Sequence, residues 1–363
     1  MNEKAANCFN NIFISFCTYP LRDKPMKRFY ICLALVFAAL MCFAQNQKPG
    51  FEKIGVYSCG KQPKQVIFSP DSKFVVLPLL EDEGFDIFSI EQKKVIKRIE
   101  PPEHKKLGFA EGLFVPSKQA FFVSQMTTGN IYEYSYPGFE YRRTIATKGT
   151  WSKFIAYNPK YDVLVVSNWV SNDVSIIDFS TGNVKKLIKT KAAPRGMTFI
   201  EDDETLVVLS FDDGTIQKFS MKTYELIDSI YIEKAAMRHI ATNSAKTKAW
   251  ISDMYHADVL ELNLKTFKIE KKYHVFNNPN TIDLLNNRYL CVSCRGPNNK
   301  QDYTKRSPVN GKIIVIDTAE KKQLCEIPGG NQPTGLALSP NQDMLVFSDF
   351  QDAALELYKI KFE

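Results

Sequence analysis

A repeat of roughly 42 residues constrains the fold of this chain more than any other feature. Three copies show it best, because each begins with a proline, continues through a short strand-like run and a turn, and then enters a strongly apolar run. These copies begin at Pro63, Pro194 and Pro333. A fixed period of about 40–45 residues with four short strands per unit is typical of a propeller blade. The repeat therefore predicts an all-β chain.

Seven copies can be aligned on the residue that begins the innermost strand. These residues are Pro63, Phe109, Ser152, Pro194, Met237, Pro279 and Pro333. The last copy ends after three strands, and Phe51–Tyr57 resembles the outer strand that it lacks. We therefore predict that residues 45–363 form one seven-bladed β-propeller, in which the mature N-terminal strand completes the last blade and removes its open edge.

The beginning of the chain has the pattern of a secretory signal peptide. Lys27 and Arg28 precede the apolar run Phe29–Met41, and the small residue Ala44 comes before a polar stretch. A basic segment, a short apolar segment and a small residue at the cleavage point define such a leader. The apolar run is too short for a transmembrane helix.

These observations lead to five predictions about processing and location. Residues 1–44 form the leader, Met26 is the true start, and the mature protein begins at Gln45. The mature protein is periplasmic or secreted and has no transmembrane span. An acylated Cys42 is the weaker alternative, because bulky Met41 stands where a lipoprotein signal needs a small residue.

Charge, cysteine content and missing motifs exclude several function classes. Residues 45–363 keep 42 basic and 38 acidic side chains, a net charge of +4, which does not by itself demand a nucleic acid or a membrane as partner. Four cysteines remain, too few for a disulfide scaffold: Cys59, Cys291, Cys294 and Cys325. The sequence contains no metalloprotease, serine-hydrolase, Walker or dinucleotide-binding motif.

The ends of the second strands carry a family resemblance. Val165–Asn168, Trp250–Asp253 and Val346–Asp349, together with Asn172–Asp178, resemble the YVTN-repeat family of extracytoplasmic seven-bladed propellers. The resemblance covers residues 51–363. It implies a fold and a superfamily whose members include surface proteins, DNA-binding periplasmic proteins, lactonases and propeller domains of haem or copper enzymes. It does not imply one activity.

The residue after each repeat start predicts a positively charged funnel. Around the ring these residues are Lys64, Ala110, Lys153, Arg195, Arg238, Asn280 and Thr334; none is acidic, although Glu111 is adjacent. Such a funnel suits a carboxylate, a phosphate or an anionic glycan. In the alternative interpretation the cations extend from a solvated rim and pair with acidic loops. For a rim charge, we expect Arg195→Ala to weaken anion binding and to leave stability almost unchanged.

An insertion in the sixth copy falls on the same predicted face. Residues 295–310 carry Arg295, Tyr303 and Arg306, and a long loop at this place contacts a ligand or is a tolerated surface extension. The predicted ligand-binding residues are therefore Lys64, Lys153, Arg195, Arg238, Asn280, Arg295, Tyr303 and Arg306.

Function divides into a favoured hypothesis and alternatives. The favoured one is a monomeric extracytoplasmic binding module without a cofactor, whose partner is an anionic small molecule, a glycan or a protein. The alternative is a metal-dependent, lactonase-like hydrolase, with Asp253, His256 and His239 as the best metal or acid–base cluster. Each histidine has the simpler interpretation of a satisfied polar residue. Single-stranded nucleic acid is a less favoured partner.

Overall fold

The structure, a computed structural model, describes residues 47–101 and 107–363. Over these residues it contains 28 strands and one short 3₁₀ helix, Pro116–Lys118. The strands form seven four-stranded sheets, so the predicted all-β, seven-bladed propeller is confirmed. The predicted signal peptide, Met26 and Cys42 lie outside the described residues.

The chain divides into two compact units, of which Phe51–Lys361 holds the blades. The other unit combines residues 1–50 with Phe362 and Glu363. Within that unit, the backbones of Lys48 and Glu363 exchange two hydrogen bonds of 3.0 and 3.1 Å.

Each blade contributes strands A to D, from the inner strand to the outer one. The first strand of the chain, β1, spans Pro49–Ser58. Blade one consists of β2 (Ile67–Phe68), β3 (Phe74–Pro78), β4 (Phe85–Ser89) and β5 (Lys94–Ile99). Blade two consists of β6 (Phe109–Val115), β7 (Ala120–Gln125), β8 (Asn130–Ser135) and β9 (Tyr141–Ala146). Blade three consists of β10 (Ser152–Asn158), β11 (Val163–Asn168), β12 (Asp173–Asp178) and β13 (Val184–Lys189).

The same arrangement continues through the second half of the ring. Blade four consists of β14 (Pro194–Ile200), β15 (Thr205–Ser210), β16 (Thr215–Ser220) and β17 (Leu226–Tyr231). Blade five consists of β18 (Met237–Thr242), β19 (Lys248–Asp253), β20 (Asp258–Asn263) and β21 (Lys268–His274). Blade six consists of β22 (Pro279–Leu285), β23 (Tyr289–Cys294), β24 (Lys312–Asp317) and β25 (Lys322–Pro328).

The last sheet joins both ends of the repeat array. Its strands are β26 (Pro333–Leu338), β27 (Met344–Asp349) and β28 (Ala354–Phe362), and β1 lies outside β28. Within the propeller unit, Lys53 of β1 forms an ion pair of 2.7 Å with Glu356 of β28. That this strand keeps the ring closed stays a prediction, which a truncation tests.

The hydrophobic core lies between neighbouring blades. The B strand β11 is buried along its whole length, as expected for a strand that packs on both faces. Val165 of β11 and Val208 of β15 belong to one buried cluster, which joins blades three and four. The outer strand β17, in contrast, is mostly exposed.

All seven repeat starts occupy the same register, because each pairs with the residue at the end of its strand B. These pairs are Pro63–Leu79, Phe109–Gln125, Ser152–Asn168, Pro194–Ser210, Met237–Asp253, Pro279–Cys294 and Pro333–Asp349. In six blades a bulge follows at once and takes the second and third residues of strand A out of the ladder. A bulge redirects side chains, so these two positions line the central channel.

A recurring serine at the end of strand B forms a hydrogen bond with a backbone N–H of the bulge and links neighbouring blades. Ser293 Oγ accepts a hydrogen bond of 3.0 Å from the backbone N–H of Thr281 and donates one of 2.9 Å to the carbonyl oxygen of Thr334 in the next blade. The same pair of hydrogen bonds occurs at Ser124, Ser252 and Ser348. The serine of the Val-Ser-Asn type endings is therefore a structural residue of the ring.

Candidate functional site

Five cationic side chains converge at one opening of the central channel. Burial is the main reason that the pKa of Lys64 lies well below its ordinary value, and four neighbouring cations lower the pKa further. These neighbours are Arg238, Arg295, Arg195 and Lys153. Four of the five directly follow a repeat start, as the repeat predicts, and Arg295 comes from the blade-six insertion. We call Lys64, Lys153, Arg195, Arg238 and Arg295 the cationic cluster.

Two members of the cluster are buried rather than solvated. Arg195 is 1% exposed and Arg238 is 6% exposed. The alternative interpretation, in which the cations extend from a solvated rim, is wrong for both, because the bulge directs their side chains into the channel. Burial lowers the pKa of both guanidinium groups.

Glu111 is the acid that pairs with the buried arginines. Arg195 Nη2 donates a hydrogen bond to Glu111 Oε1, and Arg238 Nη1 lies 3.6 Å from the same oxygen. Burial would raise the pKa of Glu111, but the charges of Arg195 and Arg238 outweigh it and hold the pKa below its ordinary value. The sequence analysis noted Glu111, the third residue of its strand A, as adjacent to the cationic positions but did not predict its pairing with the arginines.

The two lysines of the cluster contact aromatic rings instead of acids. Lys64 Nζ lies 5.0 Å from the ring centroid of Phe350, and Lys153 Nζ lies 3.5 Å from that of Trp169. Neither Nζ atom forms an ion pair or a hydrogen bond with a residue in the described part of the chain. Burial, followed by the charges of Arg195 and Arg238, lowers the pKa of Lys153 well below its ordinary value.

Three buried polar atoms of this region have no hydrogen-bond partner among the described residues. They are Arg195 Nη1, Arg295 Nε and Asn280 Oδ1. Arg295 Nη2 donates a hydrogen bond to Gln332 Oε1, and the guanidinium carbon lies 5.1 Å from the ring centroid of Phe350. Burial lowers the pKa of Arg295 to about 10. Unpartnered buried polar atoms are uncommon, so their concentration here marks the channel opening as a candidate site.

The rest of the blade-six insertion lies on the surface. Tyr303 is 69% exposed. Arg306 forms an ion pair of 2.6 Å with Asp352 of an acidic loop, which is the arrangement that the alternative interpretation of the cations predicts. Of the insertion residues in the predicted ligand-binding set, Arg295 alone joins the cationic cluster.

The predicted metal cluster does not assemble around one point. His256 Nδ1 lies 2.6 Å from Asp253 Oδ2. The ring of His239 instead faces Phe154, with 5.8 Å between ring centroids, and its Nδ1 accepts a hydrogen bond of 3.5 Å from the N–H of Ile282. Burial lowers the pKa of His239 to about 4. Across residues 47–101 and 107–363, no group of three or more His, Cys, Asp or Glu side chains could hold a metal ion.

A second concave region lies on the opposite face of the ring. This cleft of about 600 Å³ is formed by the turns of blades four and five, and it contains Glu201, Asp203 and Lys246. Two of its acids already pair with lysines, since Lys246 Nζ lies 2.9 Å from Asp203 and Lys218 Nζ lies 2.7 Å from Glu201. The cationic cluster is therefore the stronger candidate for a charged ligand.

Comparison with known proteins places the chain in a family. In the described ranges, no helix has the length and apolar character that crossing a membrane requires. No family model matches the chain. The chain is 37% identical over 320 residues to antigen Lp49 of Leptospira interrogans serogroup Icterohaemorrhagiae serovar copenhageni (strain Fiocruz L1-130), and the match covers 84% of this chain and 69% of that protein. The chain therefore belongs to the same protein family as antigen Lp49.

Proposed function

We propose that this protein is an extracytoplasmic binding module of the YVTN-repeat type, whose cationic cluster holds an anionic ligand. The observation that carries the proposal is the charge imbalance at the channel opening. Five cations converge there, and among the described residues Glu111 is the acid that pairs with them. Buried charge without a counter-ion is costly, and a bound anion would offset that cost.

The two lysines supply the most direct support. In the described part of the chain no acid forms an ion pair with either Nζ atom, although the charges of Glu111 and Asp212 partly offset the lowering of the Lys153 pKa. Arg195 and Arg238, in contrast, already pair with Glu111. A carboxylate or phosphate between Lys64 and Lys153 would form charge-assisted hydrogen bonds. It would also raise the depressed pKa of each lysine, because an opposite charge favours the protonated form.

Two further observations support the extracytoplasmic location. The leader pattern of residues 1–44 is that of an exported protein, and the relative is named an antigen. N-terminal sequencing of the protein from the exported fraction tests this part of the proposal. A mature N-terminus at Gln45 supports it, and an intact Met1 contradicts it.

The binding proposal is tested by calorimetric titration with acetate and sulfate at constant ionic strength. The variant carries Lys64→Gln and Lys153→Gln, and the matched control is Lys94→Gln on the exposed outer strand β5. Because a hydrogen bond to a charged group contributes about 1.5–3 kcal/mol, the double variant should lose at least about tenfold in affinity. The control should bind both anions as the parent does.

The pH dependence adds an independent result. The pKa of both lysines is depressed, so they lose charge at a lower pH than exposed lysines do. As the pH rises, anion affinity should therefore fall at pH values below the ordinary lysine pKa of about 10.4, where exposed lysines are still charged. Equal affinity of parent and double variant, or no binding of either anion, would overturn the proposal. Tighter binding of single-stranded DNA would favour the nucleic-acid alternative, and stabilisation by divalent metals alone would favour the hydrolase.

A further inference from the structure

We infer that the ligand of the cationic cluster is a hydroxylated carboxylate of the sugar-acid class. This inference rests on the proposed function, since it names the chemistry of the anion bound at the same opening. Two observations carry it: the mixture of donors and acceptors left without partners, and the aromatic side chains beside Lys153.

The unpartnered atoms specify both an acceptor and a donor on the ligand. Arg195 Nη1 and Arg295 Nε are donors, whereas Asn280 Oδ1 is an acceptor. Arg195 and Asn280 are each 1% exposed, so bulk water does not satisfy these atoms. A carboxylate accepts from the two arginines and from the lysines, but it has no proton to donate to Asn280.

A hydroxyl group completes the set. Asn280 takes the second position of strand A in blade six, next around the ring from Arg238 in blade five, so its side chain belongs to the same opening. Its Nδ2 atom contacts Met254 Sδ at 3.7 Å, which leaves Oδ1 for the ligand. Acetate and sulfate carry no donor at neutral pH, whereas a sugar acid offers a carboxylate and several hydroxyl groups on one small molecule.

The aromatic side chains provide a surface for a sugar ring. Lys153 Nζ lies 3.5 Å from the ring centroid of Trp169 and 5.4 Å from that of Trp151, and Trp169 packs against Phe211 with centroids 4.8 Å apart. Trp151 is 42% exposed. Ligand sites combine apolar and aromatic walls with a few polar groups that fix orientation. Here the aromatic wall adjoins the cations that would hold the carboxylate.

The test compares four probes by calorimetric titration at constant ionic strength. D-glucuronate carries the carboxylate and the hydroxyl groups, D-glucose lacks the charge, and acetate and sulfate lack the hydroxyl groups. We expect glucuronate to bind at least about tenfold more tightly than each of the others, because it alone satisfies both the buried donors and the buried acceptor.

Two variants test whether Asn280 and Trp151 account for the higher affinity for glucuronate. Asn280→Ala should lower the ratio of glucuronate affinity to acetate affinity by about tenfold, since acetate has no donor for Asn280. Trp151→Ala should likewise weaken glucuronate binding more than acetate binding. Because the unpartnered Oδ1 atom gives no stability to the free protein, Asn280→Ala should fold, which a melting curve checks.

The outcomes separate this inference from the proposed function. If acetate, sulfate and glucuronate bind with equal affinity, or if Asn280→Ala binds glucuronate as the parent does, the sugar-acid inference is wrong while the anion site stands. If none of the three anions binds, both fail.

Discussion

Arg195 of blade four donates a hydrogen bond to Glu111 of blade two, so two blades that are not neighbours meet through their side chains in the central channel. Both side chains are buried, and Arg238 of blade five approaches the same carboxylate. Two of the predicted funnel cations, Arg195 and Arg238, therefore share one buried acid. This arrangement also changes what a substitution at Arg195 should do.

Replacing Arg195 should destabilise the protein. Arg195→Ala leaves Glu111 buried with one partner fewer, and breaking a buried ion pair by removing one side costs about 3–5 kcal/mol. This expectation reverses the one drawn from the sequence, which assumed an exposed charge. Urea unfolding of parent and variant measures the change in the free energy of unfolding.

The matched control is Arg306→Ala, which removes an ion pair of 2.6 Å at the exposed surface. Exposed pairs contribute at most about 1 kcal/mol, so the control should unfold almost as the parent does. Equal free energies of unfolding for Arg195→Ala and Arg306→Ala would contradict the structural role of the channel pair.

Asp349 should make the protein less stable as the pH rises. Burial and the neighbouring Glu356 raise the pKa of Asp349 to about 8. The folded state therefore holds a proton that the unfolded state releases near its ordinary pKa of about 4, and stability falls between these two values. Asp349→Asn should be more stable than the parent at about pH 8, with a smaller difference at about pH 4.

Asp178→Asn is the control with the opposite sign. Hydrogen bonds from Ser180 and Thr181 and from the nearby Lys185 lower the pKa of Asp178 below its ordinary value. The parent should therefore be more stable than Asp178→Asn at neutral pH and lose this advantage in acid. Unfolding curves for Asp349→Asn that parallel those of the parent at every pH would rule out a proton held at Asp349.

Ser348 should stabilise the contact between the last blade and the first. Its Oγ atom accepts a hydrogen bond of 2.9 Å from Gly335 N and donates one of 3.0 Å to the carbonyl oxygen of Pro63. Ser348→Ala leaves both backbone groups without this partner, which should cost about 1–3 kcal/mol in urea unfolding.

Ser229→Ala on the exposed strand β17 serves as the control and should change stability by less than about 0.5 kcal/mol. Equal free energies of unfolding for Ser348→Ala and Ser229→Ala would show that the hydrogen bonds of Ser348 do not contribute to stability.

Removing the first strand should open the ring. Deletion of residues 45–58 takes away β1, which is the outer neighbour of β28. An unpaired strand edge recruits other chains, so the shortened protein should melt at a lower temperature and form aggregates in size-exclusion chromatography. A chain beginning at residue 45 is the control. A monomeric 45–58 deletion with an unchanged melting temperature would show that β1 is dispensable.

The sequence by itself determined the architecture, because blade formation depends on local patterns that repeat. The period, the apolar B strands and the seven repeat starts predict the strands of every blade in register. The blade-six insertion is also visible, since it interrupts a regular spacing between β23 and β24. These features need no knowledge of which side chains meet across the ring.

The tertiary structure decided the chemistry of the channel. Whether Arg195 is solvated or buried depends on a bulge that the repeat pattern does not display, and its partner Glu111 lies 84 residues away in the chain. The partner of His239 is also set by the tertiary structure, because its ring faces Phe154 of another blade rather than His256. The sequence period predicts which strands are neighbours within a blade. Charge pairing across the channel depends instead on how close side chains come from blades that are remote in sequence.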